Sequence, residues 1–273
     1  MQTHLALRAL SGTEKPDKDV QVLFAVQPNR RGLLFIHGFS GDAINTWSDF
    51  HLLLPDCETC VGRDLFFYGY DGLRAEMTAS ASLFRNFLDR LFCRTAAFVN
   101  GSLPVAAHRP ADFTYDELVI VAHSLGAVIT RRALLDATRL GVSWVSKIKL
   151  VLYAPAHRGA CVAALALETA TSFRFLRFFG ALARFESPLI DQLKPDSADL
   201  RRLLEETERA REGGANPHLV ARRVVIAEYE KIVRNESFGE DPPPETIPDT
   251  THMSVCKPRQ DFRRPLEHLE QCL

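Results

Sequence analysis

Short, dominantly apolar runs without regular polar alternation, each stopped abruptly by a small or polar residue, constrain this chain more than any other feature. Leu33-Leu34-Phe35-Ile36 ends at His37-Gly38, and Asp64-Leu65-Phe66-Phe67-Tyr68 ends at Gly69. Leu118-Val119-Ile120-Val121-Ala122 passes into His123-Ser124, and Ile148–Tyr153 closes at Ala154-Pro155. A strand with one wet face alternates apolar and polar residues. Runs without alternation suit strands buried on both faces, as in a parallel sheet covered by helices. Val224-Val225-Ile226-Ala227 reads as the last clear strand, and Gln21–Val26 as an edge strand. Helical segments intervene: 78–93 carries Leu83, Phe87, Leu88, Leu91 and Phe92 on one 3.6-period stripe, and 125–140 ends before Gly141. The segment from Arg94 to about Phe113 reads as irregular. This order predicts one α/β domain over 1–273, with a mostly parallel sheet and helices on both faces.

In such sheets the working residues lie in loops beyond the strand C-termini. The strongest strand and the strongest helix meet at Ala122-His123-Ser124-Leu125-Gly126. This is the strand–turn–helix setting of a G-x-S-x-G elbow, with Ala122 in the first small position. A turn that tight demands small residues two before and two after the serine. It also places the hydroxyl at a helix N-terminus, where unpaired amides favour developing negative charge. The alternative is a serine that merely caps a helix. His37-Gly38-Phe39-Ser40-Gly41 follows an earlier strand and supplies a glycine-rich turn able to aim an amide at a substrate oxygen. The expected oxyanion donors are the N–H groups of Phe39 and Leu125.

With these residues in hand, the chain resembles the α/β-hydrolase superfamily, in particular a serine esterase/lipase branch related to GPI inositol-deacylases. The resemblance rests on Leu33–Trp47, Val119–Gly126, Tyr153–Gly159, Ser187–Leu200 and His252–Pro258. It implies the α/β-hydrolase fold and acyl-ester hydrolysis, and leaves the substrate open.

A serine hydroxyl needs a base to take its proton, and the base needs a carboxylate to orient it. The superfamily order Ser…Asp/Glu…His implied by the resemblance limits the base to His157, His218, His252 or His268. His157 comes too early, His218 precedes the last strand, and His268 lies in an expected C-terminal helix. His252 falls in a loop between the last strand and that helix. For the acid, Glu230 matches the position where the family usually carries Asp. Asp249 is the runner-up and Glu228 a third choice. No strand is evident between Glu230 and His252, where Pro242-Pro243-Pro244 interrupts the chain, so an eighth strand reads as shortened or missing.

Residues 160–215 form a helical insert too long for a single covering helix. Phe175, Phe178, Phe179 and Leu182 share one helical face, beside Arg174, Arg177 and Arg184. Three readings fit that pattern: core packing, a lid over an apolar substrate, or peripheral membrane contact through 173–185. Composition removes other classes. The formal charge of −1 gives no field for nucleic acid, and the arginines lack an aromatic-basic motif. The six cysteines are scattered, and Cys57-x-x-Cys60 has no second pair for zinc. No secretory leader or membrane span is visible, so a soluble cytoplasmic enzyme is expected, working without metal or organic cofactor. A thioesterase, amidase or acyltransferase would share these motifs. A non-catalytic binding module would keep the fold but leave His252 without a carboxylate.

Overall fold

The structure, a computed structural model, describes residues 2–10, 20–72, 76–161, 191–214 and 216–273. Eight strands form one sheet: β1 (Arg8–Ala9), β2 (Gln21–Leu23), β3 (Arg31–Ile36), β4 (Asp64–Tyr68), β5 (Glu117–His123), β6 (Ile148–Tyr153), β7 (Ala221–Tyr229) and β8 (Glu245–Thr251). Their spatial order is β1-β2-β4-β3-β5-β6-β7-β8. The pairs β1–β2 and β2–β4 are antiparallel, and every pair from β4 across to β8 is parallel. The helices among the described residues are α1 (Phe50–Leu53), α2 (Met77–Cys93), α3 (Thr95–Asn100), α4 (Leu125–Arg139), α5 (Ala198–Glu212) and α6 (Arg264–Glu270).

The unbroken apolar runs become the centre of this sheet, with Leu33 to Ile36, Leu65 to Phe67 and Leu118 to Ala122 all wholly buried. Alternation along the strands shows what covers each face. Phe35 and Phe67 are register partners and stack at 4.8 Å, so they share a face. Trp47 and Phe50 close over Phe35 on that side, at 5.0 and 5.2 Å between ring centroids. Tyr68, one residue on, points the other way and meets Phe84 and Phe87 of α2 at 4.9 and 5.1 Å. Helices therefore cover both faces, which is why the strand sequences carry no polar alternation.

Four expectations need correction. Gln21–Leu23 is not an edge strand, because Arg8–Ala9 adds outside it. The irregular reading of 94–113 misses α3, a helix whose Ala96, Phe98 and Val99 are buried. On α2 Phe84 is fully buried, whereas the neighbouring Leu83 is only half-buried. Most important, the eighth strand is present. Its sequence, Glu-Thr-Ile-Pro-Asp-Thr-Thr, is mostly exposed because β8 lies at the sheet edge, where a proline and charged residues are tolerated. Within the insert, α5 packs against α4, while the phenylalanine and arginine stripes fall in 162–190, outside the described residues. Cys57 lies between two short 3-10 turns and Cys60 ends the second, both as buried free thiols pushed by burial up to about 12 and about 11. No helix among the described residues is long and apolar enough to cross a membrane.

Phe35 bridges β3, β4 and the α1 layer, so its removal leaves a void that three aromatic neighbours cannot close. Phe35→Ala is expected to lower stability by about 3–5 kcal/mol in urea denaturation.

Candidate active site

Parallel strands β3, β5, β6 and β7 all deliver their C-termini to one edge of the sheet, and the residues singled out in the sequence gather there. Ser124 joins β5 to α4 with φ 53° and ψ −121°, a backbone region that side chains rarely enter. Three hydrogen bonds fix it. The Ser124 N–H donates to the Tyr153 carbonyl at 3.0 Å. The Ser124 carbonyl accepts from Ala127 N–H at 3.1 Å and from Ala156 N–H at 3.2 Å. Close approach explains the small residues around it. A Cβ on Gly126 would fall 2.5 Å from the carbonyl oxygens of both Ile36 and His37. A Cβ on Gly38 would fall 2.7 Å from the Ser124 Cβ.

His252 follows β8 and is wholly buried. Its Nε2 lies 3.0 Å from Ser124 Oγ, and its Nδ1 lies 3.1 Å from both carboxylate oxygens of Glu230. The acceptor-only carboxylate keeps a proton on Nδ1, which leaves the Nε2 lone pair facing the serine hydroxyl. Glu230 follows β7 in a turn where its Oε1 also accepts the N–H groups of Ile232 (2.9 Å) and Val233 (3.1 Å). Burial works to raise this carboxyl. The His252 hydrogen bond and charge, with those two amides, outweigh it and hold the group below the usual carboxylate range.

The other candidates do not join this line. Asp249, three residues before His252, has φ 58°, is exposed, and donates its amide to Glu228 Oε2 at 2.9 Å. His157 packs on Phe238, His218 meets Thr138, and His268 pairs with Glu245 at 3.0 Å.

The Gly38 turn has a defined orientation. His37 Nε2 accepts from Tyr70 N–H at 3.2 Å, so Nδ1 carries the proton and donates to the Gly38 carbonyl at 2.8 Å. Gly41 N–H donates to the same oxygen at 3.1 Å. With Gly38 C=O held by two donors, the N–H of Phe39 in the same trans peptide points the opposite way. Leu125 opens α4, where a first-turn N–H has no carbonyl partner within the helix.

The architecture is decided by comparison with solved structures. The mature lipase BlEst2 of Bacillus licheniformis aligns over 97% of this chain and 98% of its own, at a TM-score of 0.55 and 12% identity. The chain has the α/β-hydrolase fold. Two further solved structures agree, one of them named as an α/β-hydrolase. Peroxisomal Lpx1 of Saccharomyces cerevisiae aligns over 98% of this chain and 88% of its own, with a TM-score of 0.52 and 12% identity. An inhibited esterase B from Lactobacillus rhamnosis covers 97% and 85%, with a TM-score of 0.50 and 13% identity. No protein-family model matches the sequence, and neither does any curated protein sequence.

Sequence reasoning missed one residue of this candidate site. His123 is buried, and its Nε2 lies 3.0 Å from the backbone oxygen of His252. Its signal was available in outline, since a histidine at the C-terminal end of a wholly buried strand must find a buried partner.

Two predictions follow from the geometry. Gly126→Ala places a methyl against two backbone oxygens that cannot both retreat, so a loss of about 1–3 kcal/mol is expected in thermal or urea unfolding. The second concerns pH. Burial, reinforced by the charge of His252, keeps His123 far below the ordinary histidine value, and burial with the charge of Arg131 does the same for His157. Both take a proton near pH ~6.5 in the unfolded chain but not in the folded one. Their contribution is therefore full above that pH and shrinks below it, by up to about 1.4 kcal/mol per pH unit for each group. The lowered Glu230 carboxyl acts in the same sense further down, losing its contribution only as pH falls below ~4.3. The urea midpoint is expected to be lower at about pH 5 than at about pH 7.5.

Proposed function

We propose that this chain is a serine hydrolase that cleaves carboxylic (acyl) esters through an acyl-enzyme, with Ser124 as nucleophile, His252 as base and Glu230 as orienting acid. The observation that carries the reading is the continuous line from Glu230 through His252 to Ser124, with contacts of 3.1 and 3.0 Å. Such a line turns a weak hydroxyl into a nucleophile. As Oγ attacks the ester carbonyl, Nε2 takes its proton, and the carboxylate stabilises the imidazolium. His252 then gives that proton to the leaving alkoxide, and water reverses the sequence to release the acid. The amides of Phe39 and Leu125 are the proposed donors to the oxyanion, where one such donor is worth roughly 2.7–4 kcal/mol. The reaction needs no metal or organic cofactor.

An acyl-ester substrate accords with the lipase and the esterase among the structural relatives and with the serine esterase/lipase motifs. The branch related to GPI inositol-deacylases remains a reading of those motifs alone. The free state of all six cysteines fits a reducing compartment such as the cytoplasm.

Turnover of short- and long-chain p-nitrophenyl esters tests the proposal. Ser124→Ala is expected to stay folded, lose nearly all turnover and resist fluorophosphonate labelling. Glu230→Gln should lower kcat by about 10⁴-fold, as loss of the orienting charge does in other triads. Asp249→Asn should stay close to wild type. Equal rates for wild type and Ser124→Ala would end the proposal, and a reversed order of the two acid variants would move the acid role to Asp249.

A further inference from the structure

The proposed triad leaves one buried histidine of the site unexplained. His123 sits between Ala122 and Ser124, at the position the elbow motif leaves unspecified. Strand alternation sends its side chain to the face shared with Val121 and Phe35, the face closed by Trp47. Its ring lies 6.4 Å from the Trp47 ring and 4.9 Å from that of His252.

Its hydrogen bonding has one solution. The oxygen 3.0 Å from Nε2 is a backbone carbonyl, which only accepts, so Nε2 carries the proton and donates. The ring is uncharged, because burial and the neighbouring His252 disfavour the cation. Nδ1 therefore has a lone pair, faces no donor, and is approached closely by the Gly38 turn, where an added Cβ would lie 3.2 Å away. His123 thus lies between the turn that carries Phe39 and the loop that carries His252. The bond spans 129 residues and joins the end of the rigid strand β5 to the backbone of a loop. The local bonds of that loop, Ser254 N–H and Val255 N–H to the Thr251 carbonyl, shape the turn but do not anchor it to β5.

We propose that His123 is a positioning residue, whose Nε2–H holds the His252 carbonyl and so sets the reach of the His252 imidazole to Ser124 Oγ. The serine arrives from β5 and the imidazole from beyond β8, with β6 and β7 between those two strands. A neutral N–H donor one residue before the nucleophile fixes both to the same point. It adds no charge beside an imidazole that must itself become cationic. The inference rests on the triad reading, and it assigns His123 no contact with substrate.

The test compares wild type with Ser124→Ala, His123→Leu, His123→Gln and His123→Asn. It measures the rate of fluorophosphonate labelling at Ser124, kcat and KM on a p-nitrophenyl ester, and Tm. Glutamine carries its N–H₂ where the ring has Nε2, whereas asparagine carries it where the ring has Nδ1. His123→Leu is expected to lose about 10²-fold in kcat and in labelling rate with KM within about two-fold, the size of effect expected when a reacting group is displaced. His123→Gln should recover most of that loss and His123→Asn little of it, even where their Tm values match. If the leucine variant does not fold, the glutamine–asparagine difference decides the matter. Losses that follow Tm alike in both amides, or that fall on KM alone, overturn the positioning role. A reactive wild type beside an equally reactive His123→Leu overturns this inference alone. A wild type that neither labels nor turns over ester overturns the triad reading and this inference with it.

Discussion

The backbone of Ser124 is the constraint on which the rest of this molecule depends. A non-glycine residue at φ 53° and ψ −121° costs on the order of 1–3 kcal/mol and persists only where its surroundings leave no alternative. Here the surroundings are specific. Its amide is tied to β6 through Tyr153, its carbonyl to α4 through Ala127 and to the β6–loop junction through Ala156. The neighbouring Gly126 lets the start of α4 rest on the carbonyls that end β3. Three adjacent strands must therefore be in register before the serine can take its conformation. The strain is stored where a sharp turn is needed to lift a hydroxyl above the sheet edge.

That dependence explains which parts of the architecture were legible in the sequence. The central strands are wholly buried, so hydrophobic burial alone dictates their composition, and their unbroken apolar runs declare them. The elbow declares itself because sterics permit few residues at its small positions. The outer elements obey weaker rules. β8 needs only to pair with β7 along one side, and Ile247 is its one buried apolar side chain, so its sequence reads as loop. The two-residue β1 carries no pattern at all. α3 is a short helix whose Thr95 hydroxyl donates back to the Leu91 carbonyl, a local device that periodicity does not detect.

The site was legible to differing depths for the same reason. Ser124 followed from local geometry, and His252 from chain order. Glu230 came only from its place in a family pattern, because nothing local separates it from Glu228 or Asp249. Sequence distance misleads at this point. Asp249 is three residues from His252, but β8 ends between them and turns its carboxylate away, while Glu230 reaches the imidazole across the β7–β8 pair. His123 was invisible to the motif because the position before the serine is a free choice there. Its meaning exists only once β5 and the His252 loop are brought together in space.

The choice of glutamate over aspartate as the proposed acid has its own physical account. An aspartate at this position would carry its carboxylate one methylene closer to the backbone. In Glu230 the longer side chain folds over its own turn, and one oxygen accepts two amides from residues two and three positions ahead while both oxygens face His252 Nδ1. The amides take up lone pairs that the imidazole cannot reach, so a buried charge is satisfied without a second cation. The same bonds freeze the additional torsion that glutamate brings, which removes the entropic reason to prefer aspartate. What the longer side chain loses in rigidity, the turn at Ile232 and Val233 restores, and the carboxylate stays ionised opposite the ring that takes the proton in the proposed mechanism.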